Sequence, residues 1–138
     1  MASIINSISF KNFFNYYGDY DTTKYEFKEG VNIVVADNGA GKSKFFNAFL
    51  WFFYDQVLDS DDKKKKNVKD FAVKIISDKA KNETSIGDQV QTGIKIEYST
   101  GRYKYQITKS FTATRISEKL TDFDSWQITL DDIEVDKT

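Results

Sequence analysis

Residues 31–54 read VNIVVADNGAGKSKFFNAFLWFFY, and the fold turns on them. Val31, Ile33, Val34 and Val35 put apolar side chains on both faces of an extended run, which suits a central, covered strand. A short turn containing Gly39 and Gly41 follows. From Lys42 onward Phe45, Phe46, Ala48, Phe49, Leu50, Trp51, Phe52 and Phe53 are apolar nearly all round, so the spacing predicts a helix buried beneath a sheet. Its polar side is thin, only Asn47 and then Asp55 and Gln56. Strand, glycine turn and helix, in that order, are the context that gives the phosphate-binding pattern G-x-x-x-x-G-K-[ST] its mechanical meaning.

That pattern reads Ala36-Asp37-Asn38-Gly39-Ala40-Gly41-Lys42-Ser43, with alanine in the first place. Ala36 is a mild departure, since the position ends a strand and needs only a small residue. A loop of this kind wraps a phosphate chain with its own N–H groups, and Gly39, Ala40 and Gly41 keep side-chain bulk away. The helix that follows adds further N–H donors and the positive end of its dipole. Lys42 is expected to reach the β- and γ-phosphates as the catalytic lysine, and the Ser43 hydroxyl to bind Mg²⁺. The expected binding stretch runs from Ala36 to Lys44, with ATP and Mg²⁺ as the cofactors.

Composition narrows the chemistry. The 138 residues carry 40% hydrophobic and 16% aromatic side chains, enough for one domain with a real core. There is no cysteine, which excludes disulfides and thiolate metal sites. There is no histidine, which excludes imidazole as base, ligand or switch. The formal net charge of −1 provides no long-range field to gather nucleic acid or membrane. No run of apolar residues is long enough for a membrane span, and MASIINSISF lacks the form of a secretory signal, so a soluble, cytoplasmic protein is expected.

Outward from the loop, SIINSISF places Ile4, Ile8 and Phe10 on one side of a strand, and KYEFK alternates Tyr25 and Phe27 with charges. Glu29-Gly30 marks a tight turn. LDSDDKKKKN reads as a solvated loop. Its Lys63 to Lys66 could meet a nucleic-acid backbone, although the neighbouring Asp59, Asp61 and Asp62 favour plain solvation. Residues 67–81 set Val68, Phe71, Ala72, Ile75 and Ile76 at helical spacing, with Lys74, Lys79 and Lys81 on the exposed side. After a polar stretch, GIKIEYS and RYKYQITKSF alternate around a turn at Gly101, a hairpin. SWQITL and IEV suggest a last hairpin around Asp131-Asp132. Tyr16, Tyr17 and Tyr20 could stack on a base, but core and edge packing is the stronger reading.

Hydrolysis needs more than the loop: an acid on Mg²⁺ and a group that positions water. WQITLDD resembles an apolar strand ending in two acids, with Asp131 toward Mg²⁺ and Asp132 as base. The alternation of Gln127 and Thr129 with Trp126, Ile128 and Leu130 argues instead for a half-exposed strand and a turn.

The segments IINSISFKNFFNY and YEFKEGVNIVVADNGAGKSKFFNAFLWFFY, with VKDFAVKIISDKA and GIKIEYSTGRYKYQITKSF beyond them, resemble the N-terminal half of an ATPase head of the SMC, RecF and RecN type. The stretches NFFNYYG and YDQVLDSD are similar to the SMC-like ATPases of bacterial anti-phage systems such as Lamassu. The resemblance implies a split head: Walker A and an antiparallel β subdomain here, then a coiled-coil arm and a C-terminal lobe with signature motif, Walker B and switch histidine. The seven glycines include no adjacent pair for a signature motif, and no heptads are present. The family's Mg-binding glutamine has no clear counterpart, since Gln106 and Gln127 fall inside strand patterns. Relatives carry an arginine after Asn-Phe that contacts nucleotide; here Phe14 follows Asn12-Phe13, with Lys11 as a partial substitute. Lys109 stands where relatives have another arginine and could touch phosphate as a point charge.

The expectation is therefore an α/β P-loop NTPase N-terminal lobe with a mixed sheet, a P-loop helix, a second amphipathic helix and antiparallel hairpins. Residues 1–138 form a single domain: 1–58 strands, Walker A loop and P-loop helix; 59–91 lysine-rich loop and helix; 92–138 hairpins. The resemblance implies an ATPase acting on DNA in repair, chromosome maintenance or anti-phage defence. Its partners would be a C-terminal lobe, a second head, DNA and effector nuclease subunits. The alternatives are a self-contained P-loop NTPase or phosphotransferase using Asp131 and Asp132, and a β-rich scaffold with a vestigial loop.

Overall fold

A computed structural model describes residues 3–27 and 40–137. Strand β1 (Ser3–Lys11) pairs with β2 (Thr23–Glu26) on one side and with β5 (Gln89–Thr100) on the other. β6 (Tyr103–Arg115) continues the sheet, and β7 (Trp126–Leu130) and β8 (Glu134–Lys137) both pair with β6. Every one of these pairings is antiparallel. The expected strand at 31–35, the turn at Glu29-Gly30 and any parallel pairing of a mixed sheet lie outside the described residues.

Helix α1 (Ala40–Tyr54) crosses one face of this sheet. Phe45 meets Phe10, Tyr25 and Phe27 at ring-centroid distances of 6.0, 5.4 and 6.2 Å, over β1 and β2. Trp51 lies 5.7 Å from Phe111 of β6 and 5.9 Å from Phe13. The helix thus runs from the β2 side to the β6 side, ending where Asp55 takes a positive φ of 55°. Apolar residues on both sides of α1 do not mean burial on both sides. Phe46, Phe53 and Tyr54 are 55%, 57% and 68% exposed, so one stripe of the helix stays open. Asn47, expected on the polar side, is buried: its side chain accepts from Leu58 N at 2.8 Å and donates to Leu58 O.

That amide clamp explains a second correction. The lysine-rich segment is not all loop: β3 (Gln56–Leu58) and β4 (Lys65–Asn67) form a hairpin against α1, with Val57 fully buried. Its turn is built by Asp59 and Asp62, whose carboxylates accept from the backbone N–H groups of Asp61 and Lys64.

The single helix expected over 67–81 is two, α2 (Val68–Ile75) and α3 (Asp78–Glu83). The turn after β1 decides this. Asn12, at φ 48°, and Phe14, at φ 53°, curl the chain so that Phe14 N donates to Ile75 O and Ser77 N donates to Asn12 O. These bonds hold Ile76 extended, and Ser77 caps α3 instead of continuing α2. Lys81, expected on the exposed side, is buried and donates to Val73 O at 3.0 Å.

The β5–β6 hairpin turns at Gly101, φ 60°, as expected. The last hairpin does not exist. Leu130 pairs with Phe111 and Glu134 with Thr108, so residues 131–133 form a bulge opposite two residues of one long strand.

Tyr16 and Tyr20 both pack. Tyr16 stacks 4.5 Å from Phe10, and burial, then the neighbouring Tyr25 hydroxyl, push its phenol up to about 12. Because the folded value lies above the ordinary 10, this group's stabilising contribution is intact below pH 10 and lost as pH rises toward 12. Alkaline unfolding of Tyr16→Phe, which keeps the ring, should therefore begin at higher pH than in the parent chain, read by circular dichroism. Tyr20 lies on the other face, directly over Gly93; a Cβ there would fall 2.2 Å from its hydroxyl.

Candidate functional site

The start of α1 supplies the geometry that an anion requires. The helix is 15 residues long and has no acidic residue in its first turn. Its opening residues Ala40 to Ser43 carry the backbone N–H groups that have no partner within the helix itself. Small residues, free donors and a positive dipole end fit a phosphate chain. Ala36 to Gly39, and the side chains of Ala40, Gly41, Lys42 and Ser43, lie outside what the structure describes.

Lys44, the last residue of the expected binding stretch, is described. Its ammonium sits 4.2 Å from the centroid of the Phe14 ring. Burial holds it below the ordinary lysine range, and Asp61 and Asp59 partly oppose that shift. Lys44 and Phe14 together separate two clefts. One, of about 490 Å³, is bounded further by Asn15, Tyr17, Lys74 and the Ile76–Lys79 turn between α2 and α3. The other, of about 320 Å³, reaches the acidic β3–β4 turn at Asp59 and Asp61. The first falls in the size range of small-molecule sites and opens beside the start of α1. Tyr17, the one candidate tyrosine that borders it, carries Lys79 at 4.5 Å over its ring and donates its hydroxyl to Glu83. Phe14 enters the cleft because the positive φ at Asn12 and at Phe14 itself turns the chain there, a conformation asparagine tolerates well.

Two other expected contacts are placed elsewhere. Lys11 donates to Gln91 on the sheet face opposite α1. Lys109 pairs with Asp55 at 2.9 Å, at the C-terminal end of α1 and about 21 Å along the helix from Ala40. Neither stands near the helix start, so neither replaces a phosphate-contacting arginine. Gln106 and Gln127 lie within β6 and β7. Lys66 of the lysine run is paired with Asp62 at 2.7 Å.

The acidic pair is also displaced. Phe111 faces Trp51 of α1, so its neighbours Ser110 and Thr112 point through the opposite face of the sheet. Asp131 accepts from Ser110 Oγ at 2.8 Å, from Thr112 Oγ1 at 2.9 Å and from Gln91 Nε2 at 3.1 Å. The sheet therefore stands between this carboxylate and α1, and Asp132 is simply exposed. Asp131 secures the bulge, and neither it nor Asp132 is placed to act as a Walker B acid beside α1. Asp131→Asn should lower stability by about 1–3 kcal/mol, the range for disturbing bonds to a charged group, while leaving Mg-ATP binding unchanged by calorimetry.

Among the described residues no group of His, Cys, Asp and Glu side chains is placed to hold a metal ion by itself. No helix there is long and apolar enough to cross a membrane. Sequence reasoning missed the Asn47 clamp and the Phe14 cleft. A lone amide inside an apolar helix was the available signal for the first; the substitution of phenylalanine after Asn12-Phe13 was the signal for the second.

An antiparallel sheet packed on a helix of this kind fits a P-loop NTPase lobe. The family model described as an AAA domain matches residues 7–138, and the chain belongs to that family, a domain also found in SMC-like proteins. Its class is that of nucleotide-binding ATPases, which bind ATP, commonly with Mg²⁺. Comparison with curated proteins gave no match.

Proposed function

We propose that residues 1–138 are the ATP-binding N-terminal lobe of an SMC-like ATPase that acts on DNA in the cytoplasm, and that hydrolysis requires a C-terminal lobe and a second head. The observation that carries this reading is the acid-free start of α1 beside the Phe14–Lys44 cleft, with no aspartate or glutamate at a paired strand position on the α1 face of the described sheet to serve as a Walker B. Backbone amides from Ala36 to Lys44 would hold the triphosphate, Lys42 would lie against its β- and γ-oxygens, and the Ser43 hydroxyl would hold Mg²⁺. When bound, ATP supplies the cleavable anhydride. Phe14 offers an apolar ring to the nucleoside and Lys44 a positive charge at the cleft wall. The exposed Phe46, Phe53 and Tyr54 give the C-terminal lobe an apolar surface to cover.

The resemblance to anti-phage ATPases extends the proposal to effector nuclease subunits as partners, and to a switch in which nucleotide favours one head arrangement over another. Calorimetry and turnover on the purified chain test it. Mg-ATP should bind with measurable heat, and phosphate release should stay at the buffer rate until a C-terminal lobe is added. Rapid unaided turnover would favour a self-contained NTPase, and absence of heat a scaffold with a vestigial loop.

A further inference from the structure

The sheet sorts its charges by face. In the register of β5 and β6, Tyr98 pairs with Tyr105 and Ile96 with Ile107; β8 sets Lys137 beside Tyr105 and Val135 beside Ile107. These positions share the face on which α1 lies, because Phe111 of the same row meets Trp51. The carboxylates of the same strands, Glu97, Glu134 and Asp136, alternate onto the other face. Across the described strand pairings, no aspartate or glutamate occupies a paired position on the α1 face. All four carboxylates at these paired positions, Glu26, Glu97, Glu134 and Asp136, fall on the opposite face.

Toward the β5–β6 turn, this face presents an aromatic row studded with cations. Tyr98 and Tyr105 stack at 5.2 Å, and Tyr103 stands 6.5 Å from Tyr105 and is 40% exposed. Lys137 Nζ lies 3.9 Å from the Tyr103 ring and the Arg102 guanidinium 5.7 Å from it.

We infer that the Tyr98–Tyr103–Tyr105 row, with Arg102 and Lys137, is a binding surface for single-stranded nucleic acid. Rings on a sheet offer flat platforms to unpaired bases of any sequence, and the interleaved cations meet the phosphates between them. A duplex keeps its bases stacked on one another and gives such rings little to hold. The inference deepens the DNA-acting reading above and rests on it.

Anisotropy with a fluorescein-labelled oligothymidylate of about 20 nucleotides, long enough for a site of several bases, tests the surface at low salt. The same length of duplex is the comparison. Tyr103→Ala and Tyr105→Ala should each weaken oligothymidylate binding by about five- to 150-fold, and Tyr103→Phe should bind like the parent. Arg102→Glu with Lys137→Glu should flatten the salt dependence, since fewer counterions are released. Mg-ATP heat should persist in all of these variants, whereas Lys42→Ala should lose the heat and keep the oligonucleotide, so failure of either reading is seen separately. Equal binding by the tyrosine-to-alanine variants with unchanged melting curves, or preference for duplex, overturns the inference. So does a self-association that Tyr105→Ala dissolves in the absence of any oligonucleotide binding, which would give the face to a protein.

Discussion

Lys42→Ala should erase the thermal stabilisation that Mg-ATP confers on this chain. The parent protein, at a ligand concentration about tenfold above Kd, gains roughly 1.4 kcal/mol by mass action, or about 4 °C in melting temperature. The substitution removes a charge-assisted contact to phosphate worth about 1.5–3 kcal/mol, a loss of about ten- to 150-fold in affinity. At the same ATP concentration the variant's melting curve should then be nearly the same with and without nucleotide. The ligand-free melting temperature should match the parent's, because the lysine belongs to the binding stretch and not to the buried core described above. A Lys42→Ala chain that keeps the parent's full ATP-dependent shift would contradict the assignment of the loop.

The largest stability effect should come from Trp51→Ala. Trp51 is 2% exposed and bridges three elements: its ring lies 5.9 Å from Phe13 in the turn after β1 and 5.7 Å from Phe111 on β6, while its backbone carbonyl accepts from Asp55 N where α1 ends. Truncation at such a position costs about 3–5 kcal/mol, transfer and cavity together. A domain of this kind has only about 5–15 kcal/mol in all. The variant should therefore unfold at markedly lower urea, with an unchanged slope if the unfolded state is unaffected. Phe53→Ala, on the same helix but 57% exposed, is the control and should leave stability nearly unchanged. A fall in Phe53→Ala comparable to that in Trp51→Ala would mean that the sheet-facing stripe of α1 is not the one described.

The contrast between Trp51 and Phe53 also shows where the sequence stopped being informative. Hydrophobicity alone treats Phe45, Phe46, Trp51 and Phe53 alike, yet two are buried and two are open, because the sheet and the β3–β4 hairpin leave the stripe of Phe46 and Phe53 uncovered. Asn47 looked like a solvent contact and is a buried clamp for the same reason in reverse: the β3–β4 hairpin occupies its side of α1. The lysine-rich segment was legible as charged but not as a hairpin, since Val57 is its one fully buried anchor.

Local pattern by itself determined the strand at 3–11, the helix beginning near Lys42, the β5–β6 hairpin and the glycine-lysine-serine signature of a nucleotide-binding lobe. Each is written by periodicity or turn chemistry within a few residues. Tertiary pairing alone decided that the helix after Asn67 breaks at Ile76, that Lys109 serves the far end of α1, and that Asp131 faces away from it. Those outcomes depend on which partners a folded sheet brings alongside: Asn12 and Phe14 capture the Ile75–Ser77 backbone, and a one-residue bulge sends Asp131 to Ser110 and Thr112. Hydrogen bonds and ion pairs between residues distant in sequence leave no periodic trace in the chain.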